Sequence, residues 1–237
     1  LTNCTVTGGS GEVVTNANGN GTTVTNAAVA ISQHTTKKDI DVTITGGTYT
    51  ATAAVYQTNV QGTGSENVKV SIKSGTFKGA VSAETNNTVA VSGGTFSSAV
   101  KEEYCATGYI PTANADGTYG VKEGVYVAKV DNVKYETLQA AIDAAKGNST
   151  VRLLADVTLT ETAVFPAGKT VHLNLVGHNI TATGTALRIN GTTDIQDTYK
   201  TGTIESTGNV AVAVGNNASL TVYSGTLKGR EGAVITG

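Results

Sequence analysis

"VTITGGTYT" (Val42–Thr50), "VSIKSGTFKG" (Val70–Gly79) and "VAVSGGTFSS" (Val89–Ser98) repeat one pattern: an alternating apolar strand, a small-residue corner with Gly, a Thr, and one large apolar residue. A fourth copy, "LTVYSGTLKG" (Leu220–Gly229), stands far downstream. "TVTGG" (Thr5–Gly9) and "YKTGTIES" (Tyr199–Ser206) are weaker copies. The apolar residue after the Gly-Thr corner falls at Tyr49, Phe77, Phe96, Ile204 and Leu227, with spacings of 28, 19 and 23 residues within each half. A repeated strand and corner with variable spacing is the signature of a solenoid whose coils stay fixed while its loops change length. Period-2 alternation, as at Val68, Val70 and Ile72, sends every second side chain into a narrow core. Gly permits the positive φ that such a corner needs. Thr and Asn at equivalent positions of successive coils are expected to form hydrogen-bonded ladders. Because parallel crossovers are overwhelmingly right-handed, the expected class is all-β: a right-handed parallel β-helix.

Composition agrees with that class. The chain has 237 residues, only 5% aromatics, no Trp or Met and two Pro. Such residues suit thin, repetitive layers better than a core of bulky rings. The net charge is −2, with no basic block or interleaved aromatics, which excludes an obvious nucleic-acid surface. No apolar run of about 20 residues is present to span a bilayer. Both ends of the sequence read as strand and turn, so a piece of a longer exported protein is expected.

The repeats stop and restart. "EEYCATGYIPTANADGTYGV" (Glu102–Val121) lacks the pattern, and its Tyr104, Tyr109, Ile110, Pro111 and Tyr119 suit a cover for a last coil. "NADGTYGV" within it reads as a turn or hairpin. "YETLQAAIDAAKGN" (Tyr135–Asn148) places Leu138, Ala141, Ile142 and Ala145 at helical spacing, with Thr137 as N-cap and Gly147 as stop. "TVRLLADVTL" (Thr150–Leu159) then reads as the first strand of a new stack. The expected organisation is therefore residues 1–100 as the C-terminal coils of one β-helix, 101–124 as terminator and linker, 125–149 as an N-terminal cap with a short helix, and 150–237 as the first coils of a second. Each stack has room for roughly four coils at about 20–25 residues per coil.

These residues, with "VAKVDNVKYETLQAAIDAA" and "STVRLLADVTLTETAVFPAGKTVHLNLVGHNIT", resemble the large repetitive β-helix surface proteins of gut Gram-positive anaerobic bacteria. The resemblance implies a pectate-lyase-like right-handed β-helix, extracellular and attached to the cell wall. No LPxTG-type sorting motif stands in the sequence.

Chemistry-bearing patterns are sparse. Asp194 and Asp197, with Lys200 nearby, form the best local carboxylate pair for a lyase or glycosidase, and read more simply as a polar turn between coils. Asp39 and Asp41, beside Lys37 and Lys38, share one strand face and read as a solvated charged surface. His34, His172 and His178 read as ordinary surface or ladder residues, with no metal-ligand spacing. Cys4 and Cys105 would lie about four coils apart, beyond the roughly 7 Å reach of a disulfide, so two free, buried thiols are expected. No catalytic residue, metal or cofactor is expected. Contact loops are "TNANGNGT" (Thr15–Thr22), "YQTNVQGTGSEN" (Tyr56–Asn67) and "AETNNT" (Ala83–Thr88). Tyr56, expected to be exposed, would stack on a sugar ring, with Gln57, Asn59 and Gln61 hydrogen-bonding its hydroxyls. The expected role is a non-enzymatic adhesin or rigid display stalk, whose partners are host or microbial glycans or surface proteins. No nucleic acid and no membrane insertion are expected. Two other readings stand beside it: a polysaccharide lyase or glycosidase of the β-helix class whose catalytic coil lies partly outside this sequence, and a head-to-tail self-assembling extracellular fibre.

Overall fold

The computed structural model describes every residue except 19, 20, 34, 36, 62–66, 86, 87 and 237. His34 lies outside the described residues. The chain is a β-solenoid of about eight turns, with one short α-helix among the described residues. It divides into two compact units, Leu1–Val125 and Tyr126–Gly237. Among the described residues no helix is long and apolar enough to cross a membrane.

The first unit begins with β1 (Thr5–Thr7), β2 (Thr15–Asn18), β3 (Gly21–Val24) and β4 (Ala27–Ser32). It continues through β5 (Ile40–Ile44), β6 (Thr48–Thr58), β7 (Val68–Ile72), β8 (Thr76–Ala83), β9 (Val89–Val91) and β10 (Thr95–Phe96). Its stack has three sides. Strands β5, β7 and β9 pair in parallel on the first side. The second joins β1, the first part of β6, the first part of β8, and β10. The third pairs β4 with the rest of β6, and that with the rest of β8. Register shifts between Thr50 and Val55 let β6 turn from the second side to the third without ending.

The Gly-Thr corner joins the first side to the second, and the large residue after it points inward. Tyr49, Phe77 and Phe96 are in register and fully buried. Their rings stack with centroids 5.1 and 4.8 Å apart and planes within 11° of parallel. Gly47, Gly75 and Gly94 hold the corner at φ 92°, 128° and 117°. The copy at Thr5–Gly9 has a different register from the one its sequence implies. Val6 pairs with Tyr49, not with the strand before the corner, so Asn3 and Cys4 occupy the corner in place of Gly46 and Gly47. Asn3 reaches φ 50°, a left-handed conformation that Asn tolerates better than most residues.

The end of the stack is then capped at one residue on each of its three sides. Cys105 bridges Val91 on the first, and Ala106 N donates to Val91 O. On the second, β12 (Tyr119–Glu123) pairs antiparallel with β10 through Phe96 and Tyr119, and forms a hairpin with β11 (Tyr109–Ala113). On the third, the hydroxyl of buried Tyr104 accepts from Ala83 N at 3.1 Å and lies 3.3 Å from Ala83 O. Cys4 and Cys105 are free, but half-buried and not buried as expected, because each sits at an end of the stack. Burial, and then the nearby Glu102 carboxylate, push the Cys105 thiol above its ordinary pKa.

The second unit opens with β13 (Ala128–Val130), β14 (Val133–Tyr135) and helix α1 (Leu138–Ala144). Thr137 caps the helix by accepting from Ala140 N at 3.1 Å. Leu138, Ala141 and Ile142 are buried against the first coil. The strands that follow are β15 (Ser149–Leu153), β16 (Val157–Leu159), β17 (Ala163–Phe165), β18 (Thr170–Asn174), β19 (Ile180–Ala182) and β20 (Leu187–Ile189). Six more complete the unit: β21 (Thr192–Gln196), β22 (Thr203–Ser206), β23 (Val210–Val214), β24 (Ser219–Val222), β25 (Thr226–Gly229) and β26 (Gly232–Thr236). Every third strand stacks in parallel, giving β15-β18-β21-β24, β16-β19-β22-β25 and β17-β20-β23-β26 as the three sides. Thr150–Leu159, read as one strand, is two, because the chain turns a corner at Leu154–Asp156.

Phe77 is fully buried between the rings of Tyr49 and Phe96, so Phe77→Ala should cost about 3–5 kcal/mol. Lys78→Ala, on the exposed face of the same strand, should stay within about 0.5 kcal/mol. Chemical denaturation followed by circular dichroism checks the contrast through the first unit's transition.

Candidate functional site

The described parts of the three stretches singled out as contact loops come together in the first unit, and residues 19, 20, 62–66, 86 and 87 of those stretches lie outside the described residues. Thr15–Asn18 and Gly21–Thr22 belong to the antiparallel pair β2 and β3, which stands between β1 and β4 in the chain. Thr22 Oγ1 accepts from Ser32 at 3.0 Å and from Gln61 Nε2 at 3.4 Å, which ties the hairpin to the segment after β6. Glu84, just beyond β8, ties that segment from the other side. Its carboxylate accepts from Tyr56 Oη at 2.6 Å, Thr58 Oγ1 at 3.0 Å and Asn59 N at 2.6 Å.

The four residues assigned to ligand contact divide into two roles. Tyr56 and Gln57 belong to β6, which runs on through Thr58 where a loop was expected. Tyr56 is half-buried, its hydroxyl engaged by Glu84. Gln57 faces inward and is fully buried: it accepts from Thr85 N at 3.0 Å and from Thr88 Oγ1 at 3.3 Å, and donates to Thr58 O. It holds the loops and offers nothing to solvent. Asn59 and Gln61 remain half-exposed. Asn59 Oδ1 and Thr85 Oγ1 are shielded from solvent and hydrogen-bond to none of the described residues.

The cluster has a defined electrostatic centre. Burial alone would raise the Glu84 pKa, but hydrogen bonds from Tyr56, Asn59 and Thr58 outweigh it and hold the carboxyl below its ordinary range. The same bond to Glu84, with burial second, pushes Tyr56 up to about 12.

In the second unit the sequence's carboxylate pair is taken apart by the alternation of β21. Asp194 is half-exposed on the outer face, where its Oδ2 lies 3.0 Å from His172 Nδ1 in the register position of the neighbouring coil. Asp197 is buried in the corner after β21. Its carboxylate accepts from Gly177 N at 2.6 Å, Gly202 N at 2.6 Å and Tyr199 N at 3.3 Å, so it fastens the corners of two successive coils. Burial pulls its pKa up, yet these backbone N–H groups hold it below the ordinary carboxylate range. The corner it supports includes Val176 at φ 52°, a strained conformation for a β-branched residue. Val176 N is also held by Asn174 Oδ1 at 3.0 Å.

His178 Nδ1 sits 3.5 Å from Asp156 Oδ1, which also accepts from Asn179 N. Asp39 and Asp41 are exposed, and Asp41 is in register with Lys69 across the first side of the stack. Among the described residues no group of three or more His, Cys, Asp or Glu side chains is placed to hold a metal ion. No protein-family model, curated protein or solved structure matches the chain.

Two outcomes check these assignments. Asp197→Asn replaces one of two acceptor oxygens with a donor facing backbone N–H groups, and should cost about 1–3 kcal/mol at neutral pH. A carboxylate with a lowered folded pKa stabilises above its unfolded value and loses that contribution as pH falls through the folded one. The difference in melting temperature between wild type and Asp197→Asn should therefore shrink below about pH 4. For the loop cluster, the tyrosine absorbance lost in Tyr56→Phe should titrate at about 12. Glu84→Gln should return it towards the ordinary 10.0.

Proposed function

We propose that this chain is a non-enzymatic segment of a secreted or cell-wall-attached bacterial surface protein, working as an adhesin or a rigid display stalk. The observation that carries this reading is the convergence of three loops, from three different coils, through Thr22–Gln61, Tyr56–Glu84 and Gln57–Thr88 hydrogen bonds. A parallel stack fixes its coils through backbone pairing, so loops vary while their bases stay registered. The resemblance to β-helix surface proteins of gut Gram-positive anaerobes supports the extracellular setting. Within the loop cluster, Tyr56, Asn59 and Gln61 are the contact residues and Gln57 is their support. The half-exposed amides of Asn59 and Gln61 beside the Tyr56 ring suit a hydroxyl-rich ligand such as a glycan.

The lyase or glycosidase reading draws less from the geometry, since Asp194 pairs with His172 and Asp197 with corner N–H groups. Incubation of the purified chain with mucin glycans and plant polysaccharides, with calcium or with chelator, separates the readings. Glycan retained without released products, and lost in Asn59→Ala, is the expected outcome. Products that disappear with chelator would establish the enzyme reading instead, and concentration-dependent polymers would establish the fibre.

A further inference from the structure

The two units end their stacks differently. A terminal coil leaves one row of backbone N–H and C=O groups unpaired on each of its sides, and such edges are normally covered. At the end of the first unit each is met at one residue, Val91 by Cys105–Ala106, Phe96 by β12 and Ala83 by the Tyr104 hydroxyl. At the start of the second unit two are closed. The antiparallel strand β13 covers β15. The Gln139 side chain covers β17, accepting from Val164 N at 2.7 Å and donating to Val164 O at 3.0 Å, in the manner of a neighbouring strand. The third edge, β16, pairs with β19 alone among the described strands.

Register decides what that edge offers. Val157 N donates to Asn179 O of the neighbouring coil, so in a parallel ladder Val157 and Leu159 face β19 and the backbone of Thr158 faces away. A groove of about 530 Å³ lies there, bounded by this strand, the connection to β17 and the start of α1. Half-buried Val127 and Leu159 supply an apolar lining packed on the core. Glu136, Asp156 and Glu161 supply three carboxylates, of which Asp156 also accepts from Asn179 N, and among the described residues no Lys or Arg lines it.

We propose that this groove binds an extended basic peptide segment of a partner protein, which adds as a strand to β16. Main-chain bonds to Thr158 would hold it, alternate apolar side chains would rest on Val127 and Leu159, and Lys or Arg between them would meet the carboxylate rim. Strand addition at an open edge combines these elements generally: backbone bonds for affinity, alternate side chains for specificity. The site is in the other unit from the loop cluster and does not depend on the glycan reading.

The probe is a fluorescein-labelled peptide of four Lys-Val repeats, titrated into the full chain by fluorescence anisotropy. Saturable binding should weaken at least tenfold when alternate backbone amides of the peptide are N-methylated. Replacing Lys by Glu in the peptide should also weaken it tenfold. Thr158→Pro removes the outward N–H without a ladder bond and should abolish binding with little change in melting temperature. Glu161→Lys should weaken the Lys peptide and improve the Glu one. Equal binding of methylated and unmethylated peptides would reduce the effect to charge attraction and overturn the proposal. So would no saturation up to 1 mM peptide, or a dimer of this chain that excludes the peptide from the groove. The peptide comparison uses wild-type protein, so it decides the matter even if a variant fails to fold.

Discussion

A coil of a solenoid cannot satisfy its own backbone. Its N–H and C=O groups point along the stack, and only the coils before and after can accept them. Backbone pairing between coils is therefore the constraint on which the remaining structure rests. It sets the register that aligns Tyr49, Phe77 and Phe96 into one ring stack. Where a stack stops, groups other than a coil take up part of that pairing. A hairpin strand, an antiparallel ribbon, one tyrosine hydroxyl and one glutamine amide differ in chemistry, yet each satisfies backbone groups that the next coil would otherwise have paired.

The same constraint separates what was legible in the sequence from what was not. The Gly-Thr-apolar corner is local, so its copies announced the fold, the core residues and the coil number. The cap helix was legible for the same reason, since Thr137 and the spacing of Leu138, Ala141 and Ile142 are contained in one short stretch. Corners built from other residues were invisible. Asn3–Cys4 replaces Gly46–Gly47 without resembling it, which put the Thr5–Gly9 copy in the wrong register. Val176, Gly177 and Asp197 make a corner whose parts are separated by a full coil.

Side-chain partners across coils were lost in the same way. His172 meets Asp194 only because the register of β18 and β21 aligns them, and nothing local to either residue carries that information. Alternation by itself would have warned that Asp194 and Asp197 cannot face the same way along one strand. The loop cluster was half legible. Its segments stood out by composition, whereas their convergence, and the inward turn of Gln57, depend on where β6 ends.

Native-state amide hydrogen exchange on β16 and β19 tests the stacking register most directly. An interior strand should protect every amide, and an edge strand only those that face its neighbour. The account predicts slow exchange at Ile180, Thr181 and Ala182, slow exchange at Val157 and Leu159, and fast exchange at Thr158 between them. Uniform exchange across Val157–Leu159, or an alternating pattern on Ile180–Ala182, would contradict the register on which the coils, their covers and the open groove depend.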